Sequence, residues 1–201
     1  VAMDLVTPLT VIDTAVSMRD MSKYKTLRKQ AASMYGQEPV KLALSLEASI
    51  EALEAALYFS TIVAYAQGMH LLAQASTEFN YDLKLDKIAL IWRGGCIIRS
   101  VFLEDMYQAF KRNAALPHLL LDKDIHTTVS GLLAGTRLTT SAAITSGIAM
   151  PAHIAAISYF DSFKSERMPS NLIQAQRDYF GAHTYELIGK EGVFHTQWFA
   201  K

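Results

Sequence analysis

Arg177 and His183 are the residues of this chain best suited to do chemistry together. They stand in LIQAQRDYFGAHTYE, which begins at Leu172 and gathers an arginine, two tyrosines, a phenylalanine, a glycine and a histidine within nine residues near the end of the sequence. An arginine offers a planar fork that grips phosphate or carboxylate through two hydrogen bonds. A histidine adds a donor, or a proton near neutral pH. The two lie six positions apart, with Gly181 between them. Ser170 is placed to cap a short helix running to Phe180, and Gly181 to end it, so the chain can turn and aim both side chains at one anion. From spacing alone the plainer alternative is favoured: a helix docked by Tyr179 and Phe180, with Arg177 in a surface ion pair.

Other chemistries find less support. The sequence has no G-x-G-x-x-G and no P-loop, hence no nucleotide-binding turn of the usual kinds. A di-iron helical site needs Glu-x-x-His on two helices, and no Glu is followed three residues later by His. Glu47, Glu51 and Glu54 therefore read as a solvated helix face. Cys96, the one cysteine, sits in WRGGCIIRS with no local histidine to activate it, which favours a buried structural thiol. His70, His118, His126, His153 and His195 have no partner at a useful spacing and read as structural or exposed. In GLLAG, Gly131 and Gly135 put small residues four apart, the spacing of a close helix crossing.

These residues need helices to hold them. Thr7-Pro8 reads as a helix start, followed by apolar residues at helical spacing through Val11, Ala15, Met18 and Met21, with a break from Gly36 to Pro39. A very long helix is expected from about Pro39 to Glu78, its second half nearly free of charge and so covered on all sides. Asp86 is read as the cap of a helix from Lys87 to Lys111, with Gly94-Gly95 inside it at a close crossing. After an irregular link, helices are expected from Ile125 to Gly147, from Pro151 to about Ser165, and from Ser170 to Phe180. GVFHTQWF is the one plausible extended piece, so the predicted class is all-α.

The bulk properties narrow the function. The 201 residues suffice for a sizeable core. Nineteen basic residues balance nineteen acidic ones, so no charge excess points to nucleic acid. A single cysteine excludes an internal disulfide and a zinc ribbon and fits a reducing, cytoplasmic setting. The uncharged run from Ala55 to Ser76 carries Tyr58, Ser60, Thr61, Tyr65, Gln67 and His70, too polar for a membrane span. The opening VAMDLVTPLT lacks an initiator methionine and reads as a cut start of a fragment.

The stretch LIQAQRDYFGAHTYE strongly resembles the C-terminal signature of the 6-phosphogluconate dehydrogenase family. WRGGCIIRS from Trp92 and YAQGM from Tyr65 match it as well, and YFDSFKSERMPSN follows the family's pattern into the signature. MDLVTPLTVIDTAVSMR aligns more loosely. The resemblance covers nearly the whole chain. It implies an all-helical, bundle-like dimerisation domain over residues 1–166 and a C-terminal tail over 167–201 that crosses to the partner subunit of a homodimer. The family's dinucleotide-binding domain and catalytic lysine and glutamate are then expected outside this chain, which alone should be inactive.

The activity so implied is the oxidative decarboxylation of 6-phospho-D-gluconate to ribulose 5-phosphate in the pentose phosphate pathway, with NADP as cofactor (NAD left open) and no metal. Arg177 and His183 match the family residues that hold the sugar phosphate, and Arg19 matches a third arginine. Around Arg19 the family usually reads Phe-Ala-Arg and this chain reads Ser-Met-Arg, a weaker match. Arg93, Arg99 and Cys96 match positions read as structural. The alternative is a non-catalytic helical dimerisation or binding module that keeps the family tail. A dehydrogenase acting on another β-hydroxy acid is disfavoured by the phosphate-directed pair.

Overall fold

A computed structural model describes residues 1–36 and 44–198. The chain divides into two compact units, Val1–Phe160 and Asp161–Lys201. The all-α expectation holds, with one small antiparallel hairpin added near the end.

The first unit is organised by α3 (Leu46–Glu78), a 33-residue helix. Ser45 opens it: its Oγ accepts from the Ala48 amide at 3.2 Å. The start expected at Pro39 lies outside the described residues. As its charge-free second half predicts, Phe59, Ile62, Val63, Ala66 and Met69 are buried. They form the core with α5 (Phe102–Arg112), which contributes Phe102, Leu103, Met106 and Phe110, and α6 (Lys123–Thr145), which contributes Ile125 and Val129. Gly135 allows α6 to approach α3 closely. A Cβ built there stands 2.7 Å from the Ala55 Cβ, closer than two carbons tolerate, whereas one on Gly131 meets nothing within 4 Å among the described residues. The GLLAG spacing thus marks one close contact, at its second glycine.

The N-terminal stretch folds as two helices, α1 (Thr10–Met21) and α2 (Lys25–Tyr35). Thr7 does not cap α1, because its hydroxyl donates to the Leu5 carbonyl. The orphan amide of Val11 is answered from a distance by fully buried Gln67, whose Oε1 accepts it at 3.1 Å while Nε2 donates to Thr10 Oγ1 at 3.2 Å. Gln67 belongs to YAQGM, so that motif ties α1 to α3.

The helix expected over Lys87–Lys111 is two. α4 (Leu85–Arg93) starts at Leu85, and Asp86 lies in its first turn, where a carboxylate suits the helix's positive end. It stops at Gly94, and Gly95 has φ +141°, a region open to glycine and strained for other residues. Gly94-Gly95 therefore breaks the helix; among the described residues no close crossing is made there, since the nearest atoms to a Cβ on Gly94 are carbonyls of α4 itself. The break is held by an ion pair of Arg93 with Glu104 and by the Tyr65 hydroxyl donating to the Ile98 carbonyl. Cys96, on this loop, is half-buried rather than buried.

The link before α6 contains a single 3-10 turn, Leu119–Leu121. Asp122 caps α6 through the Asp124 and Ile125 amides at 3.0 and 3.2 Å and also pairs with Arg112. Burial raises the Asp122 pKa, but the bonds from Arg112 and the two amides outweigh it and the net shift is downward. Buried His118 accepts the Leu120 amide on Nδ1, so Nε2 carries the proton it donates to the Tyr159 hydroxyl at 3.0 Å. α7 (Pro151–Phe163) follows, and within the first unit its His153 Nδ1 lies 2.8 Å from Ser60 Oγ.

Two expectations follow. Gly135→Ala should destabilise the chain by about 1–3 kcal/mol through overpacking, while Gly131→Ala should be neutral or stabilising by up to about 1 kcal/mol through helix propensity, both read by urea unfolding. Burial, followed by the neighbouring His70, lowers the His118 pKa from 6.5 to about 4. The unfolded chain takes up this proton near pH 6.5 and the folded chain only near 4, so stability should fall as pH drops through that interval and level off below it. The loss should be on the order of 3 kcal/mol and should largely disappear from the unfolding profile of His118→Asn.

Candidate functional site

The second unit carries Arg177 and His183 on α8 (Asn171–Gly181) and the turn that follows it. Ser170 precedes α8 but makes no side-chain cap bond. Gly181 is still helical, and the residue that leaves the helix is Ala182, in the left-handed region at φ +49°. Thr184 is left-handed too, at φ +60°. Such conformations cost a non-glycine residue about 1–2 kcal/mol, so something must hold this turn in place.

That something is Asp178. Its side chain is fully buried and accepts four hydrogen bonds. Oδ1 takes the Thr184 amide at 3.0 Å and His195 Nδ1 at 2.9 Å. Oδ2 takes the Thr196 amide at 3.0 Å and Trp198 Nε1 at 2.9 Å. A carboxylate only accepts, so the His195 proton facing it is on Nδ1. Burial raises the Asp178 pKa, but the bonds from Thr196, His195, Trp198 and Thr184 together bring it down to about 2.

Beyond the turn, β1 (Tyr185–Leu187) pairs antiparallel with β2 (Lys190–Phe194), Tyr185 opposite Phe194 and Leu187 opposite Lys190. Gly189 in the connecting turn has φ +72°, the sign that the second central residue of a type II turn requires. The Tyr185 hydroxyl lies 2.6 Å from Thr196 Oγ1, and Gln174 Nε2 donates to the Thr184 carbonyl at 2.5 Å. The extended piece foreseen in GVFHTQWF is real over its first residues; its partner strand was not foreseen.

Within this frame Arg177 and His183 are both exposed. Arg177 makes a long bond of 3.3 Å to Gln174 Oε1, and no ion pair of Arg177 is found among the described residues. The His183 ring lies against Gly181, where an added Cβ would stand 3.0 Å from its Nε2. The unit thus offers to solvent a guanidinium from α8 and an imidazole from the fixed turn that follows it. Arg19 lies exposed on α1 in the other unit.

Sequence reasoning missed Asp178 and grouped His195 with the partnerless histidines. One signal was present: Asp178 falls in the last turn of its helix, where the dipole disfavours a carboxylate unless strong donors answer it. No group of three or more His, Cys, Asp or Glu able to hold a metal is found among the described residues. Among them, too, no helix is long and apolar enough to cross a membrane.

If Asp178 fastens the hairpin, Asp178→Ala should release it. The Thr184 and Thr196 amides should then exchange with deuterium at least about tenfold faster, with core amides of α3 unaffected. In the unaltered chain the Asp178 contribution is complete above the unfolded carboxylate's pKa of 3.8 and is lost as pH falls towards 2, so hairpin protection should drop in that window.

The family described as 6-phosphogluconate dehydrogenase, C-terminal domain, matches residues 1–198. A relative from Rattus norvegicus, named 6-phosphogluconate dehydrogenase, decarboxylating, is 48% identical over 193 residues, covering 95% of this chain and 40% of its own length. The Bacillus subtilis relative, whose name adds NADP(+)-dependent, is 43% identical over 198 residues, 98% of this chain and 42% of its own. A solved structure of Plasmodium falciparum 6-phosphogluconate dehydrogenase, described in its apo form, with its cofactor NADP+ and with its substrate 6-phosphogluconate, superposes with a TM-score of 0.92 at 39% identity, covering 98% of this chain and 43% of that one. The chain therefore spans about two fifths of the length of the curated relatives it matches. It belongs to the 6-phosphogluconate dehydrogenase family, and what it matches is that family's C-terminal domain.

Proposed function

We propose that this chain is the dimerisation and substrate-phosphate part of a decarboxylating 6-phosphogluconate dehydrogenase. That enzyme converts 6-phospho-D-gluconate to ribulose 5-phosphate with reduction of NADP, in the cytoplasm, as part of the pentose phosphate pathway. Arg177 and His183 hold the phosphate end of the substrate, joined by Arg19. The observation that carries this reading is the pair itself: an exposed cation on α8 and an exposed hydrogen-bond donor on the turn that Asp178 fastens. A grip on the phosphate positions the reacting carbon without touching it, which is how remote binding energy assists chemistry.

The described residues do not fit a dinucleotide. Their only strands form an antiparallel hairpin, and no glycine-rich turn joins a strand to a helix. Cofactor chemistry is accordingly assigned to no residue of this chain.

Residues 1–166 serve as the dimerisation domain and 167–201 as a tail exchanged into the partner of a homodimer. Exposed apolar residues support this. On α3, Leu46, Ile50, Leu53 and Leu57 recur at helical spacing, each more than two fifths exposed. On the second unit Leu172, Phe180 and Ile188 are exposed by 83%, 76% and 72%. The alternative, a binding module without redox function, keeps the same surfaces and lacks the activity.

In the complete protein, Arg177→Ala should raise the KM for 6-phosphogluconate about 10- to 100-fold, the worth of a charge-assisted pair of bonds, and leave the KM for NADP unchanged. An unchanged KM for 6-phosphogluconate removes Arg177 from the site. A folded, complete protein that reduces neither NADP nor NAD with 6-phosphogluconate favours the binding module.

A further inference from the structure

We propose that Asp178 is the positioning residue of the phosphate grip, setting the direction of His183 by fastening the turn on both sides of it. This rests on the reading of His183 as a phosphate contact. Asp178 adjoins Arg177 in sequence but is fully buried while Arg177 is exposed. Its backbone carbonyl accepts the Ala182 amide at 2.9 Å, and its carboxylate accepts the Thr184 amide at 3.0 Å. His183 is the one residue between these two tethers.

Both flanking residues are held in the left-handed region, at φ +49° and +60°, a shape the turn has no local reason to keep unaided. Gly181 completes the device, because the His183 ring lies where a side chain at 181 would be. His195 shares Oδ1 with the Thr184 amide, and Thr196 and Trp198 donate to Oδ2. The strand leaving the hairpin thereby braces the same residue that aims the histidine. The arrangement gives Asp178 a role in the grip although it touches no ligand.

The test is steady-state kinetics of the complete dehydrogenase. Asp178→Asn keeps the size of the side chain but turns an NH2 towards donors. It should raise the KM for 6-phosphogluconate about tenfold, leaving the KM for NADP and the dimer intact. In a His183→Ala background the same change should add less than about twofold, because the residue it acts through is gone. A loss confined to kcat, or a KM effect that persists undiminished in His183→Ala, overturns the proposal and leaves Asp178 a purely structural residue.

Should Asp178→Asn fail to yield soluble dimer, Trp198→Phe removes one of the four donors and keeps an aromatic ring. It should raise the same KM about threefold, and only when His183 is present. An unchanged KM there overturns the proposal equally. A normal KM in His183→Ala alone overturns the functional reading and this inference with it. A raised KM in His183→Ala beside a normal KM in Asp178→Asn overturns this inference only.

Discussion

A carboxylate sealed from water at the last turn of a helix is the constraint on which the tail unit depends. Burial and the helix dipole both work against the charge of Asp178. Four donors answer it, from Thr184, His195, Thr196 and Trp198. Those donors come from a stretch reaching 20 residues beyond the aspartate, so satisfying one buried charge folds the whole end of the described chain back onto α8. The left-handed turn at Ala182 and Thr184 and the exposure of Arg177 and His183 follow from that closure. A unit of this size has little core of its own, and a saturated polar centre stands in for one.

The first unit solves a different problem. Its long central helix is nearly free of charge in its second half, and other helices cover it. Two polar or small residues regulate how they do so. Gln67 answers the free amide at the start of α1, and Gly135 lets α6 come against Ala52 and Ala55 of α3. At the other end of α6, Asp122 joins a helix cap to an ion pair with Arg112, so one side chain fixes both the start of α6 and the end of α5. His118 is kept neutral at the edge of this core, bonded to Tyr159 and to the backbone at once.

Much of this was legible in the sequence where a local rule decides. The buried half of α3, the start of α7 at Pro151 and the end of α8 near Gly181 follow from hydrophobic period and from proline and glycine chemistry. The errors fall where a distant partner overrides the local signal. Thr7 offered a capping hydroxyl, but the α1 amide of Val11 went to Gln67, 56 positions beyond Val11. Gly94-Gly95 reads as a close helix crossing, and Gly95's positive φ makes it a break instead. Arg177 and His183 were visible as chemistry and as a family signature. Asp178, between them, was not, because the donors that give it meaning lie in the turn and the hairpin beyond. The hairpin itself escaped because β1 has only three residues, too short for alternation to register.

The proposed function stands on Arg177 and His183 meeting the phosphate of the substrate. A crystal structure of the complete protein with 6-phosphogluconate tests it most directly. Phosphate oxygens are expected within hydrogen-bond distance of the Arg177 guanidinium and the His183 ring, with the Asp178 carboxylate still holding the Thr184 amide. A substrate bound with its phosphate away from both side chains would contradict it.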